Sequence, residues 1–133
     1  MEGKWVEFEE GPCQTGDGRY VSMSPIGEIL INRHTYAEMN KPEAVVMLFN
    51  EEAGSIGLRP ASPLMPNAFP LKNKGRCGHH LIRAKPFITK YDIRIDATVR
   101  FRSAVVEDGM LILDLRQMVF SRRTPRAGSK RRR

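Results

Sequence analysis

The sequence predicts a small, mainly-β domain with two short helices, assembled from two strand-helix-strand-strand halves in one chain. Three observations carry this. Its apolar runs are short and rich in Val, Ile, Leu, Met and Phe, as in Ile29–Ile31, Ala44–Phe49 and Met110–Leu115. Tight-turn chemistry separates strand pairs at Asn50–Gly54 and Glu107–Gly109. The order of elements between Gly27 and Pro60 also recurs further on, so that Ile31 matches Ile82, Val46 matches Val99 and Leu58 matches Leu113. The spacing of matched residues grows through insertions that fall between elements, as a diverged duplication allows.

Trp5–Phe8 alternates as a short strand, and Gly11, Pro12, Gly16 and Gly18 then break the chain. A strand restarts over Arg19–Met23 and stops at Ser24-Pro25. After Ile29–Ile31, Asn32 is an N-cap, because its side-chain oxygen can accept from a free amide of the first helical turn. The helix runs over Arg33–Met39, with Tyr36 and Met39 sharing its buried face. Asn40 can take the left-handed conformation that ends it, and Pro42 forbids its continuation. Ala44–Phe49 and Ser55–Arg59 form a hairpin about Asn50–Gly54.

Residues 60–70, PASPLMPNAFP, hold four prolines and no charge, which describes a stiff, extended connector along the domain surface. In the second half His80–Arg83 is a strand and Lys85–Asp92 a helix, opened by Pro86 with Phe87 and Tyr91 facing the core. Thr98–Val106 is one strand, with Val99, Phe101, Ser103 and Val105 on one face and Arg100, Arg102, Ala104 and Val106 on the other. Met110–Leu115 completes a hairpin and Met118–Phe120 extends that strand. Residues 1–120 are expected to form one domain, with halves at about 20–60 and 78–118. Residues 121–133 have too little apolar content to order themselves.

Charge is distributed unevenly. The formal net charge is +7, and residues 121–133 carry seven basic side chains and no acid, so the rest of the chain is formally neutral. Within that body, residues 1–60 are acidic and residues 71–115 are basic. No apolar run approaches the ~18–20 residues that cross a bilayer, and the start, MEGKWVEFEE, has no hydrophobic signal core. The expectation is a cytoplasmic protein with no membrane partner. Cys13 and Cys77 are two and far apart, which indicates neither a disulfide framework nor a thiol redox pair.

The string VSMSPIGEILINRHTYAEMNKPEAVVMLFNEEAGSIGLRP resembles the AbrB-like swapped-hairpin family, which includes transition-state regulators and MazE-type antitoxins. Gly27–Asn32 stands for the family's first β segment, Arg33–Asn40 for its short helix, Val45–Phe49 for the next strand and Ile56–Arg59 for the last. The resemblance covers about forty residues. It implies a barrel that one half cannot close alone. Two halves in one chain would close it internally, as a monomer with internal pseudo-symmetry, where family members dimerise; a homodimer is the other arrangement. Two departures matter: Glu28 follows Gly27 where the family usually has Arg, and Asn32 stands where it has Pro. Only Arg33 remains of the arginines that contact DNA in such proteins. The resemblance therefore implies the scaffold more strongly than DNA contact by this half.

Phosphate-binding candidates lie downstream: Arg100 and Arg102 on one strand face, and Arg122, Arg123, Arg126, Lys130, Arg131, Arg132 and Arg133 in the tail. Lys72, Lys74 and Arg76 could extend that surface. Such residues bind phosphates by Coulomb attraction and counterion release, without reading sequence. The bland counterpart is a solvated sheet face with an incidental tail. Cys77-Gly-His79-His80 is the only ligand-like cluster, and its spacing matches no zinc pattern, so no metal and no cofactor is expected. Glu51-Glu52 and Glu107-Asp108 are adjacent acids in turns, unlike an acid/base pair in a cleft, and no phosphate loop or Ser-His-Asp order occurs. The expected function is a non-enzymatic nucleic-acid-binding protein, for DNA more than RNA, in the manner of a transcriptional regulator or antitoxin-like factor. The competing reading is a protein-interaction module.

Overall fold

The computed structural model describes residues 4–7 and 18–120. Among these residues the first strand is β1 (Val21–Met23), followed by β2 (Glu28–Ile31), α1 (Arg33–Glu38), β3 (Ala44–Asn50) and β4 (Ser55–Ala61). Two short strands, β5 (Ala68–Pro70) and β6 (Lys72–Lys74), precede β7 (His79–Arg83) and α2 (Lys85–Lys90). The described residues end with β8 (Val99–Phe101), β9 (Val105–Glu107), β10 (Met110–Asp114), a 3-10 turn at Leu115–Gln117, and β11 (Met118–Phe120). The fold is mainly β with two short helices.

The strands form two antiparallel sheets, ordered β11-β8-β1-β2-β7-β6 and β5-β3-β4-β10-β9. Neither closes among the described residues, so the closed barrel expected from the sequence is replaced by two open sheets. Successive side chains of a strand point to opposite faces, and here each sheet turns one face inward. Val21, Met23, Ile29, Ile31, Ile82, Val99 and Phe101 from the first merge with Val45, Ile56, Leu58, Leu111 and Leu113 from the second. Met39, Phe87 and Ile88 add the helices to the same core. Full burial of one such Leu or Ile stabilises by about 1.5–3 kcal/mol.

Two of the three matched strand pairs also pair with each other; β3 and β8, which hold the matched Val46 and Val99, lie in different sheets. In β2 and β7, Leu30 lies opposite its match Leu81, Ile29 opposite Ile82 and Ile31 opposite His80. In β4 and β10, Gly57 lies opposite its match Ile112, with Ile56 opposite Leu113 and Leu58 opposite Leu111.

Local rules explain most element ends. Asn32 Oδ1 accepts from the Thr35 amide (3.0 Å) and hydroxyl (2.6 Å), and also from the Tyr20 amide (3.2 Å). Its Nδ2 donates to the Gly18 carbonyl (2.9 Å), so the cap also ties the lead-in to β1. Asn40 is left-handed (φ 67°), as its position after the helix requires. Asp108 and Gly109 both have positive φ, 53° and 82°, which makes a two-residue hairpin of β9 and β10. Gly27 (φ 89°) lies so close to α2 that a Cβ there would meet the Lys85 Cα at 2.8 Å.

Several expectations need correction. Lys4–Glu7 is not a strand, and Phe8 lies outside the described residues. β4 runs past Arg59 through Pro60 to Ala61. Pro60 is tolerated because its missing N–H faces the β10 side, where β10 has already ended at Met110. Part of the connector is paired: Ala68–Pro70 lies beside Ala44–Val46. Phe87 is buried but Tyr91 is 36% exposed at the end of α2.

The largest difference is in Thr98–Val106, which is two strands in different sheets. A turn at Arg102-Ser103 inverts the pattern, so Ala104 is buried and Val105 exposed, opposite to the expected faces. The Arg102 amide donates to the Gln117 carbonyl (2.7 Å), and Arg19 Nη1 donates to the Ala104 carbonyl (3.1 Å). These distant partners hold the switch. Likewise β11 does not prolong β10: it crosses to the other sheet and pairs with β8.

Candidate nucleic-acid interface

The outer face of the six-stranded sheet follows from its registers. Residues paired across an antiparallel ladder share a face. Reading across β11, β8, β1, β2, β7 and β6, one outer row is Val119, Arg100, Ser22, Leu30, Leu81 and Lys72. Ser22 and Leu81, in its middle, are buried, whereas Arg100 and Lys72 towards its ends are exposed. Four strand spacings separate those two, about 19 Å.

Two further cations share this face. Arg83 lies opposite Glu28, with Nε 3.9 Å from Oε2, and its side chain is 66% exposed. Lys74 lies opposite His79 and is exposed. Arg100 is steadied by Tyr20, whose ring centroid is 5.5 Å from the guanidinium carbon. Arg102 is exposed in the turn after β8, beyond the paired part of the strand. The structure thus brings Arg100 onto one face with Lys72, Lys74 and Arg83, of which only Arg83 was absent from the sequence-based set. Its signal was the alternation of β7, in which Ile82 faces the core and Arg83 must point away. Arg122, Arg123, Arg126, Lys130, Arg131, Arg132 and Arg133 lie outside the described residues.

No family model, curated protein or solved structure matches this chain. What it can do is therefore read from its own chemistry.

Among the described residues no group of His, Cys, Asp and Glu is arranged to hold a metal ion. Cys77 is disulfide-bonded, contrary to the sequence expectation, and so has no thiolate to offer; Cys13 lies outside the described residues. His80 stacks on Tyr36, with ring centroids 3.7 Å apart, and its Nδ1 lies 3.1 Å from the Gly78 carbonyl oxygen. Burial lowers its pKa; the Gly78 carbonyl partly opposes this and neighbouring His79 adds to it. Glu51, Glu52 and Asp108 are exposed in turns, as expected, whereas Glu107 is the exposed last residue of β9. No helix among the described residues is long and apolar enough to cross a membrane.

The outer face of the five-stranded sheet is of another kind, and sequence reasoning missed it. Leu48, Gly57 and Ile112 form one cross-strand row, flanked by Met110. Gly57 leaves an open floor: a Cβ there would touch Met110 and Leu48 at 3.5 Å. A cleft of about 660 Å³ lies over these residues, reaching Tyr91 on one side and Glu51 and Glu52 at the β3–β4 turn. Its signal in the sequence was a lone glycine within a strand, which often marks a close approach.

Proposed function

We propose that this protein binds nucleic acid without catalysis, DNA more than RNA, on a duplicated AbrB-like scaffold. The observation that carries this is the convergence of four exposed cations, from β6, β7 and β8, on one sheet face. Exposed cations on a rigid sheet lose little freedom on meeting phosphate, and each contact releases condensed counterions. The seven basic residues after Phe120 add to the attraction. Binding of this type positions the protein on a duplex but reads no bases, which suits a regulator only if further contacts supply selectivity.

The duplicated scaffold is supported by the registers. A two-fold relation between halves requires equivalent strands to lie antiparallel, with matched residues opposite at the axis. Leu30 with Leu81 and Gly57 with Ile112 meet that requirement in both sheets. In this reading each half supplies strands to both sheets, as a swapped pair would, and the chain functions as a monomer with internal pseudo-symmetry.

The test is binding of the full-length chain to a duplex and to a single-stranded RNA between 50 and 200 mM salt, followed by fluorescence anisotropy. Replacing Lys72, Lys74, Arg83 and Arg100 together with Ala should lower the steepness of log K against log salt by about 3–4. An unchanged slope would remove the sheet face from the interface. No binding of the parent chain at low salt would sink the reading altogether. The alternative, a protein-interaction module, is favoured by the apolar cleft of the other sheet.

A further inference from the structure

The edge of the five-stranded sheet beside that cleft is incomplete. β5 pairs only with Ala44–Val46, although β3 continues to Asn50. The Leu71 amide donates to the Glu43 carbonyl (3.0 Å), which fixes the groups on this side of β3 to odd-numbered residues. Phe49 therefore presents its backbone N–H and C=O, and Met47 its C=O, to an edge that carries no strand among the described residues. Such an edge is a template for an added strand. Side chains line it on both faces. Leu48 stands on the outer face beside the open floor at Gly57, and Phe49 stands on the inner face against Tyr91, with ring centroids 4.6 Å apart.

Charge selects the occupant. Glu51 and Glu52 close one end of the cleft, and both are exposed. Arg116, beside the same turn at Gly54, has its Nε 3.4 Å from Asp114 Oδ1, and Lys90 lies 5.7 Å from the centre of the Tyr91 ring. We infer that the open edge of β3 takes up an extended segment of a partner protein, apolar at alternate positions and carrying Lys or Arg where it passes Glu51 and Glu52. Backbone pairing with Phe49 and with the Met47 carbonyl supplies affinity, and the cleft over Leu48 and Gly57 selects an apolar side chain. This surface is separate from the basic face and stands whether or not that face meets phosphate.

The experiment is an array of random decapeptides probed with the labelled full-length chain. Alternating apolar positions should be enriched, with Lys or Arg favoured over Asp or Glu at one end by about ten-fold. Bound to the best peptide, the Phe49 amide should exchange hydrogen more slowly, while the Leu48 amide, which faces β4, should not change. Gly57→Val should weaken that peptide by about ten-fold by filling the cleft floor, without altering affinity for DNA. Absence of enrichment, enrichment of acidic ends, or unchanged exchange at Phe49 would overturn the proposal. So would concentration-dependent self-association that protects the same amide, since a second copy would then be the occupant.

Discussion

The two outer faces of this protein are built by one rule and present opposite chemistry. Inside, both sheets offer the same Val, Ile and Leu to one core; outside, the six-stranded sheet offers Arg100, Arg83, Lys72 and Lys74, and the five-stranded sheet offers Leu48, Gly57, Met110 and Ile112. The inward positions are constrained by packing density, so they resemble one another. The outward positions carry no such constraint and are where the two sheets differ. That difference is visible at central pairs of each sheet. Leu30 and Leu81 face outward on the cationic side, and Gly57 and Ile112 face outward on the apolar side.

The strongest way to break the comparison is to damage the shared inner layer. Leu58 and Ile82 are fully buried, one in each sheet. Leu58→Ala and Ile82→Ala should each lower stability by about 2–5 kcal/mol in denaturant unfolding. Because their side chains belong to one core, each substitution should shift a single transition seen by all probes. Separate transitions, with only one moved, would mean that the faces sit on independent units.

Asn32→Ala should act on one side only. It removes the acceptor for the Thr35 amide and hydroxyl, one of the two acceptors of the Tyr20 amide and the donor to Gly18, which together anchor the start of β1 to α1. Thr35 is buried, so its orphaned amide finds no water, and the loss should be about 2 kcal/mol. Tyr20, under Arg100, should become mobile by NMR, while the Leu48 and Ile112 signals stay in place. Equal disturbance of both faces would show that the cap supports the whole domain.

The cap was legible in the sequence because its physics is local: Asn before a helical run can do little else as well. So were the inner residues of β2, β4 and β10, where alternation is uninterrupted. The fate of Thr98–Val106 was not legible. Its alternation continues smoothly on paper, and the break at Arg102-Ser103 is decided by Gln117 and Arg19, far away in the chain. The basic face was half legible. Arg100 and the lysines could be named, but register across four strands decides that they share a face with Arg83. A one-residue slip would have turned each away. The cleft was written only as a glycine in a strand, a signal too weak to name a site.

The smallest expected effect concerns His80, on the inner side of the six-stranded sheet. Its folded pKa lies below the ordinary 6.5, chiefly because burial against Tyr36 disfavours the charged ring. The unfolded chain therefore takes up a proton at a higher pH than the folded one. Stability then rises with pH wherever the unfolded state binds more protons. It should be constant well above pH 6.5 and fall as pH drops through that value towards the lowered folded pKa. Denaturant midpoints at closely spaced pH values would show the decline, and His80→Phe, which keeps a stacked ring but cannot titrate, should remove it. The apolar cleft has no histidine in its lining, so Gly57→Val should leave the pH profile unchanged. A profile that persists in His80→Phe would place the titrating group elsewhere and leave the two faces equally indifferent to pH in this range.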